Sequence, residues 1–258
     1  MPSGRAKRQR DPWFTPQPPR DTILPLLTGI EGVRSGVSRK PVDAADRVAA
    51  IRWVARAAHV PPARVALLDQ VHGREVRSVP WEGFPDPVEG DALVTADSGY
   101  ALSVRIADCS PVAVAARGGE AVGLVHAGWA GLLEGVVQGA LQATAGTAGC
   151  EVADLTASIG PSIGPCCYEV GEEFRDRFET RRLRSEGGRL FLDLPGAVRD
   201  ALLAAGVHAR SIQTHAWGCT ACGRGSPEGV SFHSHRLSGG LPGRNIAFIR
   251  KAGAGGNG

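Results

Sequence analysis

His72, Cys109 and His126 are the residues of this 258-residue chain best suited to chemistry. Each lies near the carboxyl end of a short apolar run. His72 falls in Asp69-Gln70-Val71-His72-Gly73, Cys109 in Ala107-Asp108-Cys109-Ser110-Pro111, and His126 opens His126-Ala127-Gly128-Trp129. Two imidazoles and a thiolate make a zinc ligand set that leaves the fourth tetrahedral position open, the pattern of catalytic rather than structural zinc. The same trio suits a second chemistry, because Cys109 with either histidine meets the nucleophile–base requirement of a cysteine hydrolase. A third assignment needs no reaction: a thiol packed as a small core hydrophobe and two hydrogen-bonded histidines at strand ends. No local pair such as His-x-x-x-His decides among them.

The remaining cysteines offer less. Cys219-Thr220-Ala221-Cys222 lacks a second pair of matching spacing, since Cys166 and Cys167 are adjacent, so it reads as separate thiols rather than a structural zinc site. Gly223, Gly225 and Pro227 forbid the helix that a thioredoxin-like motif requires. The absence of any His-x-Glu excludes the cytidine-deaminase pattern. Cys166-Cys167-Tyr168 is expected in a loop packed under the site. A multicopper oxidase needs on the order of ten histidines for its copper centres. This chain has seven, and only His233 and His235 form a His-x-His pair.

The elements that must position these residues alternate short apolar runs with helical patterns. Val48, Ile51, Val54, Ala55 and Ala58 are spaced as one face of a helix over 44–59. Strands are expected at 65–68, 75–79, 92–95, 102–106, 112–116, 122–125, 155–159, 210–214 and 246–249. Further helices are expected at 131–144, at 170–178, and from Pro195 to Ala205, where Gly206 stops the last. Strands only a few residues apart require hairpins alongside crossover helices. The fold class expected is therefore α+β, a single domain with mixed β-sheets layered with helices. Residues 1–20 read as a disordered basic, Pro-rich tail, 21–252 as the catalytic domain, and 253–258 as a flexible Gly-rich tail.

Composition narrows the function classes. At 43% hydrophobic and 21% charged, the chain can bury a full core and is not disordered as a whole. No apolar run approaches the ~20 residues of a membrane span, and Pro25 interrupts the early run Ile23–Leu27, so neither a membrane protein nor a signal peptide is expected. Six cysteines, two of them adjacent, do not resemble a secreted disulfide framework, which leads to the expectation of a cytoplasmic protein with reduced thiols. Five basic residues against the single acid Asp11 in the first twenty leave the rest of the chain close to neutral. Positive charge held in a tail rather than on a folded face argues against nucleic acid as a partner.

Several motifs in order carry a resemblance. They are Gln70-Val71-His72-Gly73, Gly90-Asp91-Ala92-Leu93-Val94-Thr95, Ala107-Asp108-Cys109-Ser110-Pro111, His126-Ala127-Gly128-Trp129, the run Gly160 to Gly171, and Phe232–Arg236 with Gly243-Arg244. Across about residues 23–250 the chain resembles the laccase-domain (YfiH-like) family, also called multicopper polyphenol oxidases, whose members act as zinc-dependent purine nucleoside phosphorylases. The resemblance implies a YfiH-like fold, with His72, Cys109 and His126 as metal ligands and catalytic residues. It implies Arg34, Arg236 and Arg244 as substrate-binding residues, zinc as cofactor, and purine nucleosides (adenosine, inosine, guanosine, methylthioadenosine) with phosphate as substrates. Adenosine deamination is a further implied activity. The family's arginine after His-Ala-Gly-Trp is Ala130 here, and the second arginine of its late pair is Leu237. A member linked to hydrolysis of mis-assembled cell-wall precursors makes a cysteine-dependent amidase the alternative. A nonenzymatic metal- or nucleoside-binding protein is the third.

Overall fold

A computed structural model describes residues 23–80, 88–215, 217–228 and 230–252; both expected tails lie outside them. From the amino terminus, β1 (Ile23–Leu24) and β2 (Val33–Ser38) precede α1 (Arg47–Ala58). Then come β3 (Val65–Leu67), β4 (Val76–Val79), β5 (Ala92–Thr95), β6 (Ala101–Ile106), β7 (Ser110–Ala116) and β8 (Val122–Ala127). Helices α2 (Trp129–Glu134) and α3 (Val136–Ala148) lead to β9 (Leu155–Ile159), β10 (Glu169–Val170), β11 (Leu183–Glu186) and β12 (Arg189–Leu192). Helix α4 (Leu194–Ala204), β13 (Ile212–Thr214) and β14 (Asn245–Lys251) follow.

The strands form a five-stranded sheet in the order β1-β2-β14-β6-β3, a six-stranded sheet β13-β9-β7-β8-β5-β4, and a small β10-β12-β11 sheet. Alternation along single strands shows how they stack. In β14, Ile246 and Phe248 pack with Trp53, Val54 and Ala57 of α1, while Ala247 and Ile249 join the cluster between the two large sheets. In β7, Ala113 and Ala115 face that same cluster, and Val112, Val114 and Ala116 pack against residues of α3 and α4. The order of layers is helix, sheet, sheet, helix. Strands buried on both faces lose the apolar–polar alternation, which is why β5 and β7 read as largely apolar runs, whereas β9 buries Thr156 and Ser158 between its apolar residues.

Helix ends follow local chemistry. Asp46 caps α1 by accepting the Ala49 N–H at 2.6 Å, and Asp193 caps α4 by accepting that of Gly196 at 3.1 Å, with Pro195 in the first turn. The α+β class with mixed sheets is as expected, and three details differ. The helix expected over 131–144 is two helices, broken where Gly135 takes φ 90°. The helix expected over 170–178 is absent. Glu169 and Val170 pair with Phe191 and Leu190, and a 3-10 turn follows at Glu172–Asp176. Finally, His126 sits within β8 rather than beyond its end. Among the described residues no helix is long and apolar enough to cross a membrane.

Candidate active site

Two of the three residues come from passages between the two large sheets, and the third from a strand of the six-stranded one. The chain leaves the five-stranded sheet at Ile106 and enters the six-stranded sheet at Ser110, with Cys109 on that short crossing. His72 lies on an earlier passage in the same direction, between β3 and β4, in a left-handed conformation (φ 60°). His126 is presented from β8, whose register sets it opposite Pro111 of β7. The ligand atoms of His72, Cys109 and His126 all lie within 4.8 Å of one another. Their imidazoles meet edge-on, with centroids 4.9 Å apart.

Asp91 organises the site. Its carboxylate is fully buried and accepts the backbone N–H groups of Val71 (3.2 Å), His72 (3.0 Å) and Gly73 (2.8 Å), so one side chain shapes the whole His72 loop. It also meets His126 Nδ1 at 2.8 Å. That contact places the imidazole proton on Nδ1 and leaves Nε2 as the ligating or proton-accepting nitrogen, the carboxylate–histidine arrangement that orients metal ligands. Burial alone would raise the Asp91 carboxyl, but the hydrogen bonds from His126 and the loop amides hold it below the usual carboxylate range. Sequence reasoning quoted Asp91 within a motif without giving it a role.

Charge at the centre is coupled. Burial pushes the Cys109 thiol up, but the charge and hydrogen bond of His126, with that of His72, bring it down to about 6. Burial pushes His126 down, but the Cys109 sulfur and Asp91 raise it to about 9. With no metal bound, both shifts favour the thiolate–imidazolium form of the pair. Burial and the Cys109 charge raise Tyr168 to about 12, so its hydroxyl stays protonated.

Close approach explains the glycines nearby. A Cβ on Gly128 would sit 3.2 Å from both Cys109 Sγ and His72 Cδ2, and one on Gly131 would sit 2.5 Å from the Gly73 carbonyl oxygen. Only glycine lets α2 lie against the His72–Gly73 turn. Asp108, in the left-handed region at φ 91°, accepts the Thr220 hydroxyl at 2.7 Å and the Arg236 N–H at 2.8 Å. It thereby ties two remote loops to the Cys109 crossing.

The expected arginines separate. Arg236 lies at the site: its backbone is held by Asp108, and its guanidinium lies over the Tyr168 ring at 5.4 Å. Arg244 precedes β14, at the end of that strand where Asn245 pairs with Ile106, and so reaches the same edge of the sheet. Arg34 does not belong with them. It pairs with Arg250, which pairs with Ala101 at the opposite end of β6, about 17 Å away along the strand. Its Nε donates to the Ala57 carbonyl at 2.7 Å, which fastens β2 to α1. Sequence reasoning missed Arg105 and Arg47. Arg105 exchanges backbone bonds with the Gln70 side chain at 2.7 and 2.8 Å and feels the charges of Arg47 and Arg244. Asp69 pairs with Arg47 at 3.1 Å and with Arg105 at 3.9 Å, so three arginines and one carboxylate flank the His72 loop.

The cysteines also correct an expectation. Cys166 and Cys167, judged unable to complete a pair with Cys219 and Cys222, lie against them, and all four sulfurs are within 4.8 Å of one another. The spacing rule applied to one segment, whereas two separate loops deliver these residues. A cleft of about 680 Å³ opens on the outer side of this cluster, lined by Arg184, Arg199 and Arg224, and none of His72, Cys109 or His126 lines it.

Fold and site together define a sheet-on-sheet α+β protein with a Cys-His₂ centre at the seam, in which the three side chains are able to bind a metal. The chain belongs to the family described as "Multi-copper polyphenol oxidoreductase laccase", which matches residues 35–252. It is 34% identical over 241 residues to the protein named purine nucleoside phosphorylase SCO2081 of Streptomyces coelicolor, covering 87% of this chain and 96% of that one. Crystal structures of YlmD from Geobacillus stearothermophilus (TM-score 0.75, 29% identity, 87% of this chain and 93% of that one) and of NMB0706 from Neisseria meningitidis (TM-score 0.76, 26% identity, 90% and 100%) share the fold. The Cys-His₂ donor types suit a single copper ion as well as zinc, but the multicopper assembly of the family's description finds no second histidine cluster among the described residues. Among the described residues the groups of three or more candidate metal ligands are this centre and the four cysteines, and His215 and His233 are each bonded to a backbone carbonyl elsewhere.

Proposed function

We propose that the chain is a purine nucleoside phosphorylase whose reacting centre is His72, Cys109 and His126. The observation that carries this reading is the convergence of two imidazoles and one thiolate on a single point, with His126 already oriented by buried Asp91. The names of relatives similar over 87% and 73% of this chain point the same way. A soft thiolate with two imidazoles suits zinc. His72, Cys109 and His126 would hold it, and a zinc ion bound there supplies a Lewis acid at the mouth of the site.

Phosphorolysis breaks the bond from ribose to the purine and makes one from ribose to a phosphate oxygen. The site must therefore gather phosphate charge and deliver a proton to the departing base. Arg236, presented by Asp108, and Arg244 with Arg105 and Arg47 supply the cations. Asp91 keeps the His126 proton on Nδ1 and prevents the ring from turning. Tyr168, protonated across the working pH range and lying under the Arg236 guanidinium, offers a donor. Adenosine deamination at the same centre belongs to this proposal.

One observation favours a second reading. A thiol brought to about 6 beside an imidazole raised to about 9 is an activated nucleophile in its own right, as a cysteine-dependent amidase requires. Incubation with adenosine and phosphate, with adenine and hypoxanthine followed separately by chromatography, tests the first reading. Adenine release that requires phosphate and is lost on chelation is the expected result. Base release without phosphate, or none at all, would overturn it. Amide hydrolysis that survives chelation would establish the second reading.

A further inference from the structure

Cys166 and Cys167 lie on the loop after β9, and Cys219 and Cys222 on the loop after β13, more than fifty residues later. The four sulfurs lie within 4.8 Å of one another, and Cys166 and Cys222 come to 3.6 Å. A zinc ion at about 2.3 Å from each of four thiolates sets their sulfurs about 3.8 Å apart, so the observed cluster needs only a small contraction. We propose that Cys166, Cys167, Cys219 and Cys222 form a second metal site, a closed four-thiolate centre for zinc, separate from the histidine-containing one. This assignment stands independently of the proposed reaction.

Three features favour a metal over thiols that merely touch. First, the backbone is shaped around the sulfurs. The Gly164 N–H donates to Cys219 Sγ at 3.3 Å. The Cys219–Cys222 turn closes through the Gly223 N–H on the Cys219 carbonyl at 2.8 Å, with Gly223 in the left-handed region at φ 69°. Amide donors to sulfur are the outer support expected of a thiolate ligand. Second, the apolar nucleus here consists of Ile163, Cys219 and Ala221, with Cys166, Cys167 and Tyr168 packed beside it. So small a nucleus gives two irregular loops little reason to hold one geometry, and a structural metal supplies that order. Third, all four donors are soft and none is a carboxylate, which selects zinc over hard cations. One disulfide would account for only two of the four thiols, and two disulfides would need an oxidant, which a preparation under reducing conditions withholds. On binding, four thiol protons leave as four zinc–sulfur bonds form, with no change of oxidation state.

The site would set the geometry next door. Thr220, adjacent to Cys219, donates its hydroxyl to Asp108, and the Ile163 N–H donates to the Asp108 carbonyl at 2.9 Å. Each of the two clamped loops therefore fixes the residue that precedes Cys109.

Zinc content and zinc-edge X-ray absorption of the full chain, purified under reducing conditions, test the proposal. The Cys109→Ala variant, stripped of the first site, should retain one zinc per chain surrounded by four sulfurs at about 2.3 Å. Wild type should hold two zinc per chain, averaging about two and a half sulfurs each if the histidine site is loaded too. Wild type can be read even if the variant does not fold. Cys219→Ser/Cys222→Ser should lose one equivalent and leave a zinc with imidazole scattering and a single sulfur. A zinc-free Cys109→Ala protein, nitrogen or oxygen scatterers dominating its zinc, or a wild-type average of one sulfur would overturn the proposal. So would a Cys166–Cys222 disulfide in the reduced preparation.

Discussion

Replacing Gly131 by alanine places a methyl group 2.5 Å from the Gly73 carbonyl oxygen and 3.4 Å from that of His72. Intrinsic helix preference alone favours the change by about 0.5–1 kcal/mol, because glycine is the costlier residue in a helix. Contact opposes it. The neighbouring atom is backbone, and opening the gap to 3.0–3.4 Å needs a shift of roughly 0.5–0.9 Å in α2 or in the turn that carries His72. Overpacking of that kind costs about 1–3 kcal/mol, so the net loss should be about 0–2.5 kcal/mol, or a Tm lower by up to about 9 °C for a domain of this size. Function should suffer more than stability, because displacing a reacting group by about 1 Å can cost on the order of 100-fold in turnover. Gly146 provides the control: it is helical and exposed, with no atom within 4 Å of an added Cβ. Gly146→Ala should gain about 0.5–1 kcal/mol with turnover unchanged. Thermal denaturation and base-release assays on both variants decide the matter. If Gly131→Ala were as stable as Gly146→Ala and fully active, the argued closeness of α2 to the His72 turn would be wrong.

Asp91→Asn removes the carboxylate that supports a charged His126. In chelator-treated protein, the pH midpoint of Cys109 alkylation should therefore rise from about 6 towards the ordinary thiol value; an unmoved midpoint would refute Asp91's role. Arg236→Ala should raise the phosphate KM, while Arg34→Ala, about 17 Å along the strand, should lower thermal stability and leave both KM values alone. Kinetics at varied phosphate separate the two. Asp200 lies below its ordinary 3.8, chiefly through its hydrogen bonds from Arg182 at 2.6 and 2.7 Å. A depressed folded value means that its stabilisation is present above the unfolded value and is lost as pH falls through the folded one. Asp200→Asn should thus cost about 1 kcal/mol at pH 7 and converge with wild type in strong acid, as followed by urea denaturation.

Much of the scaffold was legible because burial on both faces writes long apolar runs into the sequence. Ala92–Thr95 matches its strand residue for residue, and so does Leu155–Ile159, although Thr156 and Ser158 interrupt its apolar residues. The misread segment 170–178 shows where that logic fails. Val170, Phe174 and Phe178 are spaced as a helix face, and Phe174 and Phe178 do stack with centroids 5.7 Å apart, yet pairing with β12 claims the start of the segment. Leu183–Leu192 went unread as a hairpin, although Gly187-Gly188, both at positive φ, is the turn such a hairpin needs. At the site, residue types and the family resemblance identified His72, Cys109 and His126. Asp91, Arg105 and the four-cysteine cluster depend on loops meeting across long sequence separations, which neither spacing nor periodicity encodes.

Cys109 and His72 ride on chain segments that pass from one large sheet to the other, and His126 belongs to the second sheet alone. Neither sheet by itself contains the centre. During folding the local helices form early, while contacts so distant along the chain must wait for the sheets to dock. Activity therefore requires that the two sheets be docked. A molecule whose sheets have formed but not met would keep most of its secondary structure and have no reacting centre.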